Sequence, residues 1–298
     1  MTLPSPPRQP ERLVYLGTPE VAVPPLRALH AAGFDIALVI TGPDKRRGRG
    51  KALGPSPVKS AAGQLGLTVT DTLAEATEVG ADLGVVVAYG RIIPTAILER
   101  LPMVNLHFSI LPRWRGAAPV ERAILAGDTQ TGVCLMGVAP ELDAGAIHRC
   151  DVVSIGDDET LNELRGRLVE LGASLLVEEL TNGLADGQDQ CGEVTYAAKI
   201  EPEEHRLDVT LPARQLHRVV RLGRAWCTFR NKRLKILSAR VVDRSSPAAV
   251  EPGTLDSTVV VTGDGLLELI EVQPEGRKPM TAAAWLNGVQ PAPGERLG

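Results

Sequence analysis

Aromatic side chains are scarce, with three Phe, three Tyr and three Trp in 298 residues. Any core must therefore be built mainly from Val, Leu, Ile and Ala. Apolar runs are short, and none approaches the ~20 residues that a membrane-spanning helix needs. The first ten residues, "MTLPSPPRQP", have no apolar stretch of the kind a signal peptide carries and read as a Pro-rich disordered start. Cysteine is limited to Cys134, Cys150, Cys191 and Cys227, with no CxxC pair and no metal-like cluster with His. The expectation is reduced thiols, no metal and a cytoplasmic location. What is present suffices for real cores: 44% of residues are hydrophobic and 23% charged. The length suggests about two domains.

The net charge is −4, but it is unevenly spread. From Arg206 to Arg244 there are eleven Lys and Arg against two acids, a net of +9. From Gly42 to Lys59 there are six bases against Asp44, a net of +5, which leaves −18 on the rest of the chain. Two basic segments on an acidic body fit a polyanion binder, and they equally fit two solvated faces.

The hydrophobic pattern predicts an α/β fold. "RLVYLG" (12–17), "FDIALVI" (34–40), "ADLGVVVAYG" (81–90) and "MVNLHFS" read as buried strands, with "VPPLRALHAAG", "PVKSAAGQLG" and "PTAILERL" as helices between them. Continuous apolar strands alternating with helices indicate a Rossmann-like parallel sheet covered on both faces. Leucines at 161, 164, 168, 171 and 175 predict a long amphipathic helix. After about residue 190 the texture changes to short strands, "RLKILSARVVD", "STVVVTGDG" and "LLELIEVQP", with no helix until "TAAAWLNG". That pattern predicts a small all-β, OB-like barrel. The expected boundaries are a catalytic domain over 11–190, a linker over 191–206 and the barrel over 207–298. Between residues 43 and 53 the chain reads as a Gly- and base-rich loop.

The stretch "NLHFSILPRWRGAAP" (105–119) carries the chemistry. Alternation on a strand puts Asn105 and His107 on one face and Leu106 and Phe108 on the other. In an open α/β sheet, ligands sit beyond the carboxyl ends of the strands. An amide and an imidazole there can stabilise an oxyanion, and the His can move a proton. The same pair can also merely satisfy loop backbone groups. Asp143, in "ELDAGAI", is a candidate partner for the imidazole or a turn residue.

Together with "LGTPEVAVPPLRAL", "PSPVK", "VVVAYGRIIP", "VTYAAKI" and "VTGDGLLELIEVQPEGRKPM", these motifs resemble the methionyl-tRNA formyltransferase family along most of the chain. The resemblance implies transfer of a formyl group from 10-formyltetrahydrofolate, a co-substrate, to the α-amino group of methionine on initiator tRNA, a step linking one-carbon metabolism to translation initiation. By motif, Asn105, His107 and Asp143 match the catalytic trio. Ser109, Ile110, Leu111 and Pro112, with Val87, Ala88, Tyr89 and Gly90, match the folate site. Lys45, Arg46, Arg47, Arg49 and Lys51 match a tRNA-binding insertion. A monomer with no membrane partner is implied. The turn Arg113-Trp114-Arg115 fits a surface for the tRNA end or the folate tail, or a Trp packed under Arg stems. Glu141 stands where the family has Gly, Ala144 where it has Thr, Phe108 where a small residue is common, and Gly42 where a polar one is usual. A folate-dependent formyltransferase acting on a sugar amine or nucleotide precursor is the alternative activity, and a non-catalytic RNA-binding protein the alternative class.

Overall fold

The computed structural model describes residues 3–47, 52–244 and 250–298. Two compact units emerge. One comprises residues 1–120, 130–154 and 165–198; the other comprises 121–129, 155–164 and 199–298.

The first unit is built on β1 (Arg12–Gly17), β2 (Asp35–Ile40), β5 (Val69–Thr70), β6 (Leu83–Val87), β7 (Met103–His107), β9 (Gln130–Gly137) and β10 (Ile147–Ser154). Their order is β10-β9-β7-β6-β1-β2-β5. The strands from β5 to β7 run parallel, and β6 throughout and β1 from Leu13 onward are buried because both faces are covered. The sheet is not wholly parallel as expected. β9 is antiparallel to β7, and β10 to β9. These two strands escaped the sequence reading because β9 is broken by Gly132 and β10, at the edge, carries His148, Arg149 and Asp151. Two short pairs complete the unit: the hairpin β3 (Lys45–Arg47) with β4 (Ala52–Gly54), and β8 (Arg115–Gly116) with β11 (Tyr196–Ala197).

The helices before the second unit's own are α1 (Val23–Ala31), α2 (Pro57–Gln64), α3 (Thr95–Leu98), α4 (Pro119–Ala126), most of which belongs to the second unit, and α5 (Leu161–Asn182), which belongs to the first from Arg165 on. Proline in the first turn starts α1, and Ser56 caps α2 by accepting from the Lys59 N–H at 2.9 Å. One face of the sheet buries Val14, Leu16, Ile40, Val86 and Met103 in a single cluster. The Pro-rich start is ordered from residue 3 and not a disordered tail. Leu3 packs on that cluster, and Glu11 and Arg12 donate their N–H groups to Asp82 at 3.0 and 2.9 Å.

The expectation of reduced thiols also needs correcting. Cys134 on β9 lies directly opposite Cys150 on β10, and the two are joined as a disulfide. Sixteen residues separate them in sequence, so only the hairpin pairing brings them together. Cys191 and Cys227 are free.

The second unit holds α6 (Ala213–Arg221), β12 (Trp226–Phe229), β13 (Lys232–Val242), β14 (Leu255–Asp256), β15 (Val259–Val261), β16 (Leu266–Pro274), β17 (Met280–Thr281) and α7 (Ala282–Val289). The antiparallel sheet runs β12-β13-β16-β15-β14, and β17 also pairs with β16. Phe229 and Trp285 meet edge to face at 5.1 Å in its core. Helix α6 was not expected. Its inward positions are 213, 216, 217, 220 and 221, and two of them are His217 and Arg221, so the apolar stripe is interrupted. Arg221 is nevertheless buried, donating to the carbonyls of Glu159 (2.7 Å) and Gly156 (2.8 Å). No helix among the described residues is long and apolar enough to cross a membrane.

Candidate active site

Strand β7 lies between β6 and β9, with Asn105 opposite Val86 and Met136, and His107 opposite Cys134. Alternation holds. Leu106 and Phe108 lie against α5, where a Cβ placed on Gly172 would meet each of them at 3.6 Å. Asn105, half-buried, and His107, 4% exposed, therefore share the opposite face with Met103.

Asp143 comes from the β9–β10 loop in a left-handed conformation, φ 47°. Its Oδ2 accepts the Gly116 N–H at 2.8 Å and stands 3.6 Å from His107 Nδ1. The other ring nitrogen, Nε2, is 2.8 Å from the Trp114 carbonyl. A carbonyl only accepts, so Nε2 carries a hydrogen. Neutral His107 then turns a bare Nδ1 lone pair toward the carboxylate. A proton on Nδ1 converts that repulsion into attraction. Burial pushes the His107 pKa below its ordinary value, while Asp143 and the Trp114 carbonyl push it up; burial prevails. The pair thus takes up a proton reluctantly and returns it readily, as a proton relay must.

The turn after β7 is tied from several sides. Ser109 is fully buried and donates its hydroxyl to the Arg113 carbonyl at 2.6 Å. Ile110 is half-buried, Pro112 is buried, and Leu111 packs with Cys134 and Met136. Trp114, at φ 64°, donates its N–H to Thr195 Oγ1 at 2.9 Å. The two arginines flanking Trp114 differ. Arg113 is exposed and stacks on the indole at 4.4 Å. Arg115 is buried at 6% exposure and bonds within the protein, so it is not a surface for RNA or a folate tail.

At the end of β6, Val87 is buried, Ala88 adopts φ 47°, and Gly90 follows with φ 76°. Tyr89 is buried between them, and its carbonyl accepts from Thr18 at 3.2 Å. These residues end on the strand next to Asn105. The basic insertion is the β3–β4 hairpin, on which Lys45 and Arg46 are exposed and Arg47 pairs with Ala52. Arg49 and Lys51 lie outside the described residues. Its base is held by Asp44 on Lys59 (2.7 Å), by Thr41 with Ser56 (2.7 Å) and by the Gly42 N–H on Thr18 (3.2 Å). An open hollow of about 350 Å³ beside α1 and α2, lined by Glu20, Arg27 and Gln64, includes none of the trio. Among the described residues, no group of three or more His, Cys, Asp and Glu is placed to hold a metal ion.

Sequence reasoning missed the Trp114 carbonyl, the Gly116 N–H, Thr195 and Gln190. Backbone groups carry no sequence signal, Gln190 ends the expected catalytic domain, and Thr195 falls in the expected linker.

Residues 11–180 match the formyl transferase family and residues 199–290 the formyl transferase C-terminal domain, so the chain belongs to the formyl transferase family. Within it, the chain is 44% identical to the methionyl-tRNA formyltransferase of Methylococcus capsulatus, across 96% of this chain and 99% of that protein. It is 43% identical to the methionyl-tRNA formyltransferase of Roseobacter denitrificans, across 93% and 95%. The fold is also that of an N-formyltransferase from Helicobacter canadensis solved with folinic acid and dTDP-3-aminofucose, with TM-score 0.67, 17% identity, and 87% of this chain and 98% of that one covered.

Proposed function

We propose that this protein transfers the formyl group of 10-formyltetrahydrofolate to the α-amino group of methionyl initiator tRNA at the start of translation. The observation that carries this reading is His107 standing 3.6 Å from Asp143, with Asn105 two residues earlier on the same face of β7, in a chain so similar to methionyl-tRNA formyltransferases over nearly its whole length.

The amine attacks the formyl carbon, forming a C–N bond and an oxyanion. Asn105 donates its amide N–H to that oxygen. The His107 Nε2–H, held by the Trp114 carbonyl, is drawn to the oxyanion because a charged acceptor outcompetes a neutral one. The proton leaving the attacking amine is taken up by the His107–Asp143 pair and delivered to N10 as the C–N10 bond breaks. Neither a metal nor a covalent enzyme intermediate enters these steps.

Ser109, Ile110, Leu111 and Pro112 form one wall of the folate site in this reading. Their side chains are largely occupied by the protein, so they offer mainly backbone and shape. Val87, Ala88, Tyr89 and Gly90 form the other wall, supported by the exposure of Ala88 and Gly90 where β6 ends. Lys45, Arg46, Arg47, Arg49 and Lys51 grip the tRNA, supported by the exposure of Lys45 and Arg46. The catalytic domain spans 11–190 and the linker 191–206. The 207–298 segment is an OB-like barrel that contacts tRNA, supported by its antiparallel sheet and by exposed Arg214, Arg224, Lys232, Arg233 and Lys235. One chain supplies the whole trio, which fits a monomer. A role in translation initiation fits the cytoplasm, where disulfides such as Cys134–Cys150 are uncommon and usually transient.

The test is a formylation assay with purified protein and labelled formyl donor. Charged initiator tRNA is the expected acceptor, and uncharged tRNA is not. Label moving to an amino sugar or a nucleotide precursor, with none on methionyl-tRNA, overturns the reading.

A further inference from the structure

Asp143 is gripped at both of its ends. The Gly116 N–H holds its carboxylate at 2.8 Å. Gln190 holds its main chain, the side-chain Nε2 donating to the carbonyls of Asp143 (2.8 Å) and Gly145 (2.9 Å). The amide oxygen of Gln190 in turn accepts from Arg115 Nε (3.0 Å) and Nη2 (2.8 Å). All four hydrogen-bonding positions of the amide are thus used, and flipping it would set its NH₂ against a guanidinium.

Arg115 links the two grips. Its own main chain lies in β8, paired with Tyr196 on β11, immediately before the Gly116 N–H that holds the carboxylate. Its guanidinium is buried, and a buried charge persists only when fully bonded. It finds Gln190 on one side and Glu141 Oε1 (2.9 Å), two residues before Asp143, on the other. The loop packs tightly at Gly145, whose backbone lies so close to the Gly137 carbonyl that a Cβ there would sit 1.8 Å from it. Asp143 meanwhile occupies a left-handed conformation that a non-glycine residue holds only when its surroundings over-determine it. Glu141 and Gln190 both converge on Arg115, and Gln190 carries that hold on to the carbonyls of the Asp143 loop.

We propose that Arg115 and Gln190 are positioning residues for the formyl transfer, forming a brace that sets the Asp143 carboxylate against His107. The proposal rests on the role given to Asp143 above. A loop freed by about 1 Å can cost on the order of 10²-fold in rate.

The test is Gln190→Glu, alone and combined with Asp143→Asn. The carboxylate keeps an acceptor for Arg115, so the buried guanidinium stays paired and the protein stays folded. The two donors to the loop are lost. Turnover is expected to fall about 10- to 100-fold with an unchanged KM for the formyl donor. The acid limb of the kcat profile should move to lower pH, because His107 must start neutral and a displaced carboxylate no longer raises its pKa. In the Asp143→Asn background, Gln190→Glu should cost nothing further, since the brace has nothing left to position. Wild-type turnover in Gln190→Glu, or the same fold-loss in both backgrounds, overturns the brace. If Asp143→Asn alone keeps full turnover, the catalytic role of Asp143 falls and the brace with it. Loss in Asp143→Asn without loss in Gln190→Glu removes the brace alone.

Discussion

Replacing Asp143 by Asn removes one charge and little else. The Asn side chain keeps an oxygen for the Gly116 N–H, and the left-handed backbone at φ 47° is one that Asn tolerates well. What is lost is the attraction between a carboxylate and an imidazolium 3.6 Å apart. At an effective dielectric of about 20, that attraction is about 4–5 kcal/mol. His107 is almost fully buried, so burial continues to oppose its charged form with nothing left to offset it but the Trp114 carbonyl. If the imidazolium takes part in the rate-limiting step, turnover should fall by roughly 10²–10⁴. The sign of the pH effect also follows. Asp143 raises the His107 pKa, so its loss lowers that pKa further, and because His107 must start neutral to take the amine's proton, the acid limb of kcat moves to lower pH. The assay is steady-state formylation of methionyl-tRNA from acid to neutral pH, with calorimetry for folate binding. Near-wild-type turnover, or lost folate affinity with intact chemistry, would refute the reasoning and make Asp143 a binding or turn residue.

Asn105→Ala should lose about 10²–10³ in turnover while its circular dichroism stays native, and unchanged turnover would end its assignment to the oxyanion. Replacing Arg46, Arg47 and Arg49 together with Ala should flatten the slope of log tRNA affinity against log salt by about two to three units. Parallel salt titrations for that variant and the parent would mean a solvated face. Trp285→Ala empties the centre of the second unit's core, where Trp285 is 4% exposed against Phe229, and should cost about 3–5 kcal/mol by urea unfolding. His107, His205 and His217 all have pKa values lowered mainly by burial, so unfolding takes up protons as they charge. Their contribution to stability should fall as pH drops through about 6.5 and below. A urea midpoint that does not change through that range once carboxylate effects are subtracted would contradict it.

Much of this protein was legible in one dimension because strand and helix periodicities are local. The runs at β1, β2, β6 and β7 could only be buried strands, and the leucines of α5 could only be one helix face. Alternation alone set Asn105 and His107 on one side of β7, and a family resemblance pointed to Asp143. Partners distant in sequence were a different matter. Whether Arg113 or Arg115 faces solvent depends on Gln190, 75 residues from Arg115. The antiparallel β9–β10 hairpin, and with it the Cys134–Cys150 bond, depends on pairing at an edge whose residues are half polar. Helix α6 was hidden because its buried face contains His217 and Arg221, made tolerable by Asp158 and by two carbonyls some sixty residues away. The conformation of Asp143 belongs to the same group. Its carboxylate and its carbonyl answer to Gly116 and Gln190, and hydrogen-bond partners brought together by folding leave no periodic trace in the chain.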